Sequence, residues 1–76
     1  MKQVLEWVAK SLVDNPDAVT VTEVNGEDGI VLELRVAEGD MGKVIGKQGR
    51  IAKSIRTVIK AASTKEDKKV IVEIMQ

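Results

Sequence analysis

Apolar side chains recur with a helical period at the start of the chain. The residues of this stripe are Val4, Leu5, Val8, Leu12 and Val13. Their i, i+4, i+8 spacing predicts an amphipathic helix over residues 2–14. The helix is expected to end before Pro16, because proline disfavours the α conformation in the residue that precedes it. Trp7, the only aromatic residue, lies near the stripe and is expected to be a partly buried core or interface residue.

Two segments in the middle of the chain have the patterns typical of strands. Residues 18–24 are rich in β-branched side chains, which favour a strand over a helix. Residues 30–36 alternate, and one face carries Ile30, Leu32, Leu34 and Val36. Residues 25–29, rich in Gly, Asn and Asp, separate the two segments. The patterns therefore predict an antiparallel hairpin with one buried face.

The second half of the chain begins with helical signals on both sides of a glycine pair. We expect a loop over residues 37–40 and one helical turn over residues 41–45. A second loop over residues 46–49 then leads into the main helix over residues 50–62. On a helical wheel the apolar side of the main helix holds Ile51, Ile55, Val58 and Ala62, with Ile59 at its edge. Another sector holds Arg50, Lys53, Arg56 and Lys60. One face is expected to pack on the core, and the other is a basic ridge.

A polar loop over residues 63–68 precedes a last strand over residues 69–75. The predicted element order is α-β-β-α-α-β within a single domain over residues 1–76. A connection through two helices lets the last strand lie parallel to an earlier one, by a right-handed crossover. The expected fold class is α+β, with a three-stranded mixed sheet and three helices packed on one of its faces.

The composition excludes several kinds of protein. The chain has no cysteine, and therefore neither disulfides nor a thiolate metal site. Histidine and tyrosine are also absent, which removes most of the common acid–base groups of enzymes. We therefore expect no catalysis, metal or cofactor. No apolar run is long enough for a spanning helix or a signal peptide, so the cytoplasm is the expected compartment.

The charges of the chain are balanced overall but strongly segregated along it. The formal net charge is zero. Residues 1–42 contain three basic and nine acidic residues, whereas residues 43–76 contain nine basic and three acidic ones. The halves therefore carry −6 and +6. Such asymmetry indicates a charged partner, although a surface solvated by lysines is the simpler interpretation.

The glycine pair lies where the basic half begins. Gly46 and Gly49 can adopt backbone dihedrals that a Cβ atom forbids, and they allow another backbone to approach closely. A helix follows at once, and its first turn offers unpaired N–H groups that favour an anion such as phosphate. Acidic residues usually occupy such a turn, but here it is flanked by Lys47, Arg50 and Lys53. The pattern predicts a phosphate-binding site.

Residues 44–56, with the sequence VIGKQGRIAKSIR, resemble the core motif of KH domains, in which a GxxG loop clamps about four nucleotides. Together with the element order, the likeness is to type II, bacterial-style KH domains and covers essentially the whole chain. Among these the chain is similar to the small single-domain proteins of the KhpA (YlqC-like) family. Many KH domains have a bulky aliphatic residue three positions after the second glycine, where this chain has Ala52.

The resemblance implies a protein that binds single-stranded RNA and acts as a post-transcriptional regulator or RNA chaperone. Its implied RNA-binding residues are Val44, Ile45, Gly46, Lys47, Gln48, Gly49, Arg50, Lys53 and Arg56. Ile45 is expected to be largely buried. The bases are expected to lie in a groove between the loop and a neighbouring strand. Residues of the second strand such as Leu34 and Val36, or the loop after it, are expected to line its other side. The resemblance also implies pairing with a second copy or with a Jag-type RNA-binding protein (KhpB).

Three other functions compete with RNA binding. A P-loop would need a glycine in place of Met41 and a hydroxyl residue in place of Gln48. A protein-interaction module with a KH-like fold is the stronger alternative, and its candidate contacts are Val31, Ile59, Ile71 and Met75. Membrane attachment is not expected, because residues 50–62 cannot spare a large apolar face after packing on the core.

Overall fold

The structure, a computed structural model, describes residues 1–64 and 69–75. Its helices are α1 (Lys2–Leu12), α2 (Met41–Ile45) and α3 (Arg50–Ala62), and its strands are β1 (Thr20–Asn25), β2 (Gly29–Arg35) and β3 (Lys69–Met75). Short 3₁₀ turns occupy Pro16–Ala18, Glu38–Asp40 and Lys47–Gly49. The α-β-β-α-α-β order predicted from the sequence is confirmed.

Most predicted boundaries agree with the structure. The ends of α2 and α3 coincide with the predicted ranges. β1 begins two residues later than predicted, because the chain is still in a 3₁₀ turn in which the Val19 N–H donates to the Pro16 carbonyl at 3.1 Å. In the predicted loop over residues 63–68, Ser63 and Thr64 form a turn, and residues 65–68 lie outside the described residues.

The three strands form one mixed sheet in the order β1-β2-β3. β1 pairs antiparallel with β2, and β3 pairs parallel with β2, as the two-helix connection predicts. Successive side chains of a strand point to opposite faces, so each strand sends every second residue to the same side. The inner face contributes the buried residues Val21, Leu32, Leu34 and Val72. The other face carries the more exposed residues of each strand.

All three helices contribute to one core on the inner face of the sheet. The helical residues of this core are Leu5, Ala9, Val44, Ile55 and Ile59. Burial of a side chain such as Leu or Ile stabilises the folded state by about 1.5–3 kcal/mol. The three-helix, one-face architecture is confirmed. In the described part of the chain, no helix combines the length and the apolar character needed to cross a membrane.

The buried side of α1 differs from the predicted one in two respects. Leu5 and the small residue Ala9 form its centre, whereas Leu12 is exposed at the end of the helix. The predicted place of Trp7 in the core is wrong, because 73% of this residue is exposed. At about 100° per residue, Trp7 lies roughly 200° around the helix from Leu5 and so points away from the core.

The buried side of α3 is rotated by about 60° from the predicted one. Ala52, Ile55 and Ile59 are buried, whereas half of Val58 is exposed. The predicted place of Val58 in the core is therefore wrong, and Ile59 lies within the core rather than at its edge. Because Ile59 is buried against the sheet, it cannot be the self-association contact that the sequence suggested.

Candidate nucleic-acid interface

The loop between α2 and α3 has an unusual backbone. α2 ends where the Gly46 N–H donates to the Gly42 carbonyl at 2.8 Å, and the Gly49 N–H then donates to the Gly46 carbonyl at 3.2 Å. The φ angles of Gly46, Gln48 and Gly49 are +76°, +59° and +73°. A positive φ is unfavourable for a residue with a Cβ atom, so Gln48 holds a strained conformation of the kind that occurs at functional sites.

The two glycines of the loop are needed for different reasons. A Cβ atom on Gly46 would lie 2.5 Å from Cγ1 and 2.8 Å from Cβ of Ile51, the second residue of α3. The absence of this atom lets the loop fold closely against α3. A Cβ on Gly49 would meet open space, so only the positive φ favours glycine there. Gly46 therefore fixes the contact between loop and helix, and Gly49 fixes the direction in which α3 starts.

The first turn of α3 opens directly from this loop. Gly49 is the N-cap, and no side chain of the described residues caps the helix. The first four residues of the helix are Arg50, Ile51, Ala52 and Lys53, so no carboxylate neutralises its positive end. Arg50 Nη2 donates to Gln48 Oε1 at 3.3 Å and braces the strained residue. The turn offers N–H groups and cations to an anion.

The residues predicted to bind RNA divide into exposed and supporting groups. The side chains of Lys47, Gln48, Arg50, Lys53 and Arg56 are exposed, and both glycines are half-buried. Val44 is completely buried, so its side chain supports the loop from the core. The predicted burial of Ile45 is wrong, because 36% of this residue is exposed. Ile45 follows Val44 directly and therefore projects away from the core.

Arg56 connects the basic ridge to the sheet. Its Nε donates to the Val72 carbonyl of β3 at 3.3 Å. Because β3 is an edge strand, the edge that does not pair with β2 is open to such side chains. The strand beside the ridge is therefore β3. The predicted placement of the bases against Leu34 is wrong, since Leu34 is completely buried, and Val36 is partly buried against the core.

A buried carboxylate that the sequence patterns do not reveal holds α2 in place. Asp40 accepts hydrogen bonds from the backbone N–H groups of Asp14 at 3.2 Å and Asn15 at 3.0 Å. The segment after α1 is thereby tied to the start of α2. An aspartate directly before a predicted helix is a signal for an N-cap. Its partners here lie some 25 residues earlier in the chain, beyond the reach of any local pattern.

A second link between the same segments lies at the surface. Lys43 Nζ donates to Asp14 Oδ2. This hydrogen bond, together with the charge of Asp14, raises the pKa of Lys43 above its ordinary value, although desolvation acts in the opposite direction. Exposed ion pairs contribute little to stability. The buried Asp40 is therefore the main anchor of α2, and Lys43 is largely engaged away from the loop.

Comparison with known proteins gives consistent matches along the chain. The KhpA/KhpB KH domain model matches residues 2–74. The chain is 72% identical to the RNA-binding protein KhpA of Clostridium acetobutylicum over 75 residues, which cover 99% of this chain and all of that protein. For the RNA-binding protein KhpA of Clostridium perfringens the identity is 67% with the same coverage. For that of Aquifex aeolicus it is 51% over all of this chain and 96% of the relative.

Proposed function

The chain belongs to the KhpA/KhpB KH-domain family, and from this premise we propose that it binds single-stranded RNA as a non-catalytic protein. Residues 1–76 act as one KH domain that clamps about four nucleotides. The relatives compared above are named RNA-binding proteins, and none of these names denotes an enzyme. The proposed role is that of a post-transcriptional regulator or RNA chaperone in the cytoplasm.

One observation carries this proposal. A strained turn with positive φ at three of its four residues opens onto the first turn of a 13-residue helix that lacks an acidic residue. The N–H groups and dipole of this turn favour an anion. Lys47, Arg50 and Lys53 are exposed around it. This combination disfavours the isolated helix and is balanced when a phosphate backbone binds.

In this proposal the bases of the bound RNA lie between the loop and the open edge of β3. Arg56 of α3 already reaches the Val72 carbonyl of this strand. The chain has no aromatic residue beside the loop, so stacking on rings contributes nothing and the bases rely on aliphatic contacts and hydrogen bonds. The expected affinity for one domain is roughly micromolar. Single strands should compete better than duplex, whose base edges are paired.

Exchange of the loop charges tests this function directly. In the double variant Lys47→Asp plus Gln48→Asp, two carboxylates lie where phosphates are expected to bind. Fluorescence anisotropy of a labelled pool of short single-stranded RNA should show at least about a tenfold loss of affinity, because attraction becomes repulsion. Circular dichroism should show that the variant remains folded, since both side chains are exposed.

The chain offers a matched control for this experiment. Lys2 and Gln3 are the same dipeptide at the exposed start of α1. Lys2→Asp plus Gln3→Asp changes the net charge by the same amount, and acidic residues are favourable in a first helical turn. This control should bind RNA nearly as well as the wild type. Equal losses of RNA affinity in the two variants would mean that the loop variant acts only through net charge. A loop variant that binds RNA like the wild type would refute the phosphate clamp.

We also propose that the chain pairs with a second copy or with a KhpB-type RNA-binding protein. The observation that favours pairing is an apolar groove between α1 and α3, lined by Val8, Leu12, Ile51 and Val58 among others. Arg50 lines one end of the groove, whereas Lys53 and Lys60 lie on the opposite side of α3. Two joined clamps could hold one RNA with higher avidity.

Light scattering tests the self-pairing over a concentration series from micromolar to millimolar. The wild type should approach the mass of a dimer, whereas Val58→Lys, which introduces a charge into the groove, should remain monomeric. The conservative variant Val58→Leu should behave like the wild type. A wild type that stays monomeric throughout would exclude the homodimer and leave the KhpB-type partner to be tested by mixing.

A further inference from the structure

The outer face of the sheet, which turns away from the helices, carries an apolar row across all three strands. Val24 of β1 pairs with Val31 of β2, which in turn pairs with Ile71 of β3. Val24 is 47% and Ile71 43% exposed, and Val31 is half-buried. Side chains directly opposite one another in a sheet are in contact, so the three form one continuous surface. The described helices all pack on the other face.

A hollow of about 390 Å³ lies beside this apolar row, next to the hairpin turn. The three residues of the row form one side of it, and the turn Gly26–Gly29 contributes to the rest. A Cβ atom on Gly29 would lie 2.3 Å from the Lys69 carbonyl. Glycine is therefore required at this position, where the backbones of β2 and β3 lie close together. Backbone atoms rather than side chains form this end of the outer face. The hollow is large enough for an apolar side chain.

The charges around the apolar row are mainly negative. Glu27 and Asp28 line the hollow, and Glu33 and Glu73 lie opposite each other in the next row of the face. The cations on the described part of this face are Lys69, which lines the hollow, and Arg35. Four carboxylates against two cations repel a phosphate backbone and attract a positively charged partner. The face is thus unsuited to RNA and complementary to a basic protein segment.

We infer that the apolar row and its hollow form a docking site for a cationic amphipathic segment of a partner protein. An apolar side chain of the segment occupies the hollow, while its Lys or Arg residues face Glu27, Asp28, Glu33 and Glu73. Because this face lies across the sheet from α3, docking leaves the RNA clamp free. The inference does not depend on RNA binding, and the chain could hold a basic protein on one side and RNA on the other.

NMR spectroscopy of the ¹⁵N-labelled chain tests the location of the site. The probe is a helical peptide of leucine and lysine with all leucines on one face, and its counterpart carries glutamate in place of lysine. The lysine peptide should shift the amide signals of Val24, Val31, Ile71 and the hairpin turn, and the glutamate peptide should shift none of them. Shifts spread equally to Glu6 and Asp14 on the other side of the molecule would indicate charge attraction alone and overturn the proposal.

Two exposed positions on the same strand give a matched pair of variants. Val24→Lys places a cation within the apolar row and should weaken binding of the lysine peptide by about tenfold. Thr20→Lys adds the same charge to the same face of β1, about 14 Å away, and should change the affinity less than twofold. Ile71→Lys, on the opposite edge strand, should repeat the loss seen with Val24→Lys. Equal losses for Thr20→Lys and Val24→Lys would overturn the proposal.

Two further measurements distinguish this docking site from an RNA-binding surface and from a self-pairing surface. All variants should bind the short RNA pool like the wild type, so a failed clamp and a failed docking site give different results. Dilution of the ¹⁵N-labelled chain in the absence of peptide should leave the amide signals of the apolar row unchanged. Concentration-dependent shifts confined to Val24, Val31 and Ile71 would identify a second copy as the occupant, and the inferred partner would be wrong.

Discussion

Gly46 is the residue on which the geometry of the loop depends most. Substitution by alanine would force a Cβ atom to 2.8 Å from the Ile51 Cβ, a contact that no rotation of the Ile51 side chain relieves. It would also place a side chain at φ +76° and ψ 174°, a region occupied almost only by glycine. We expect Gly46→Ala to lower the free energy of unfolding by about 2–4 kcal/mol, measured by urea denaturation.

Gly42→Ala is the control for this prediction. Gly42 lies within α2, and a Cβ atom there meets nothing within 4 Å. Alanine is a better helix former than glycine, so this change should leave stability unchanged or raise it by up to about 1 kcal/mol. A Gly46→Ala variant as stable as the wild type would mean that the loop and α3 can separate without cost, contrary to the geometry described above.

At the scale of the elements, α2 is a helix of five residues that depends on its neighbours for its position. Asp40 supplies the main link, with both carboxylate oxygens bonded to backbone N–H groups after α1. Asp40→Asn keeps the size of the side chain but replaces one acceptor with an NH₂ group, which faces a partly buried backbone N–H donor. We expect the free energy of unfolding to fall by about 2–4 kcal/mol in urea denaturation.

Asp17→Asn is the matched change at an exposed aspartate in the turn that follows α1. It should alter stability by no more than about 0.5 kcal/mol. If Asp40→Asn disturbs α2, it should also weaken RNA binding, because α2 leads directly into the loop. An Asp40→Asn variant that matches Asp17→Asn in stability would show that the two hydrogen bonds contribute little to the position of α2.

At the scale of the whole molecule, the protein has two surfaces of opposite charge, which favour partners of opposite sign. The basic ridge and the loop attract a polyanion, whereas the outer face of the sheet is mainly acidic. For single strands the logarithm of the binding constant falls by about 0.7 per phosphate contact for each unit of log salt concentration. We therefore expect Lys53→Gln to make the salt dependence of RNA binding less steep by about 0.7, measured by anisotropy titrations at several salt concentrations.

Lys2→Gln serves as the reference in this experiment, because Lys2 is an exposed cation at the start of α1, outside the loop and the basic ridge. Its slope should equal that of the wild type. Weaker binding by Lys53→Gln with an unchanged slope would mean that Lys53 supports the fold or contacts a base rather than a phosphate. A wild type whose binding does not change with salt would contradict the electrostatic basis of the clamp.

Much of the candidate site was predictable because its signals are local. Two glycines at the right spacing, cations around them and a change from alternating to helical periodicity lie within a short stretch of sequence. The parts that were wrong involve contacts between distant segments. Ile45 was expected to be buried, but its exposure depends on which side of α2 packs on the core. Leu34 was expected to meet the bases, but this expectation depends on which strand lies beside α3. The link from Arg56 to Val72 and the bonds of Asp40 have no local pattern at all.

Local sequence patterns are sufficient to predict the order of the elements, the boundaries of α2 and α3, the inward face of β2 and the GxxG loop, because each depends on nearest neighbours along the chain. Packing between distant segments sets which side of α3 is buried, and it exposes Val58 and buries Ile59. The same packing leaves Trp7 exposed to solvent. Strand pairing aligns Val24, Val31 and Ile71 in one row. A helical wheel gives the angles between side chains, but the orientation of the helix is set by the surface on which it packs.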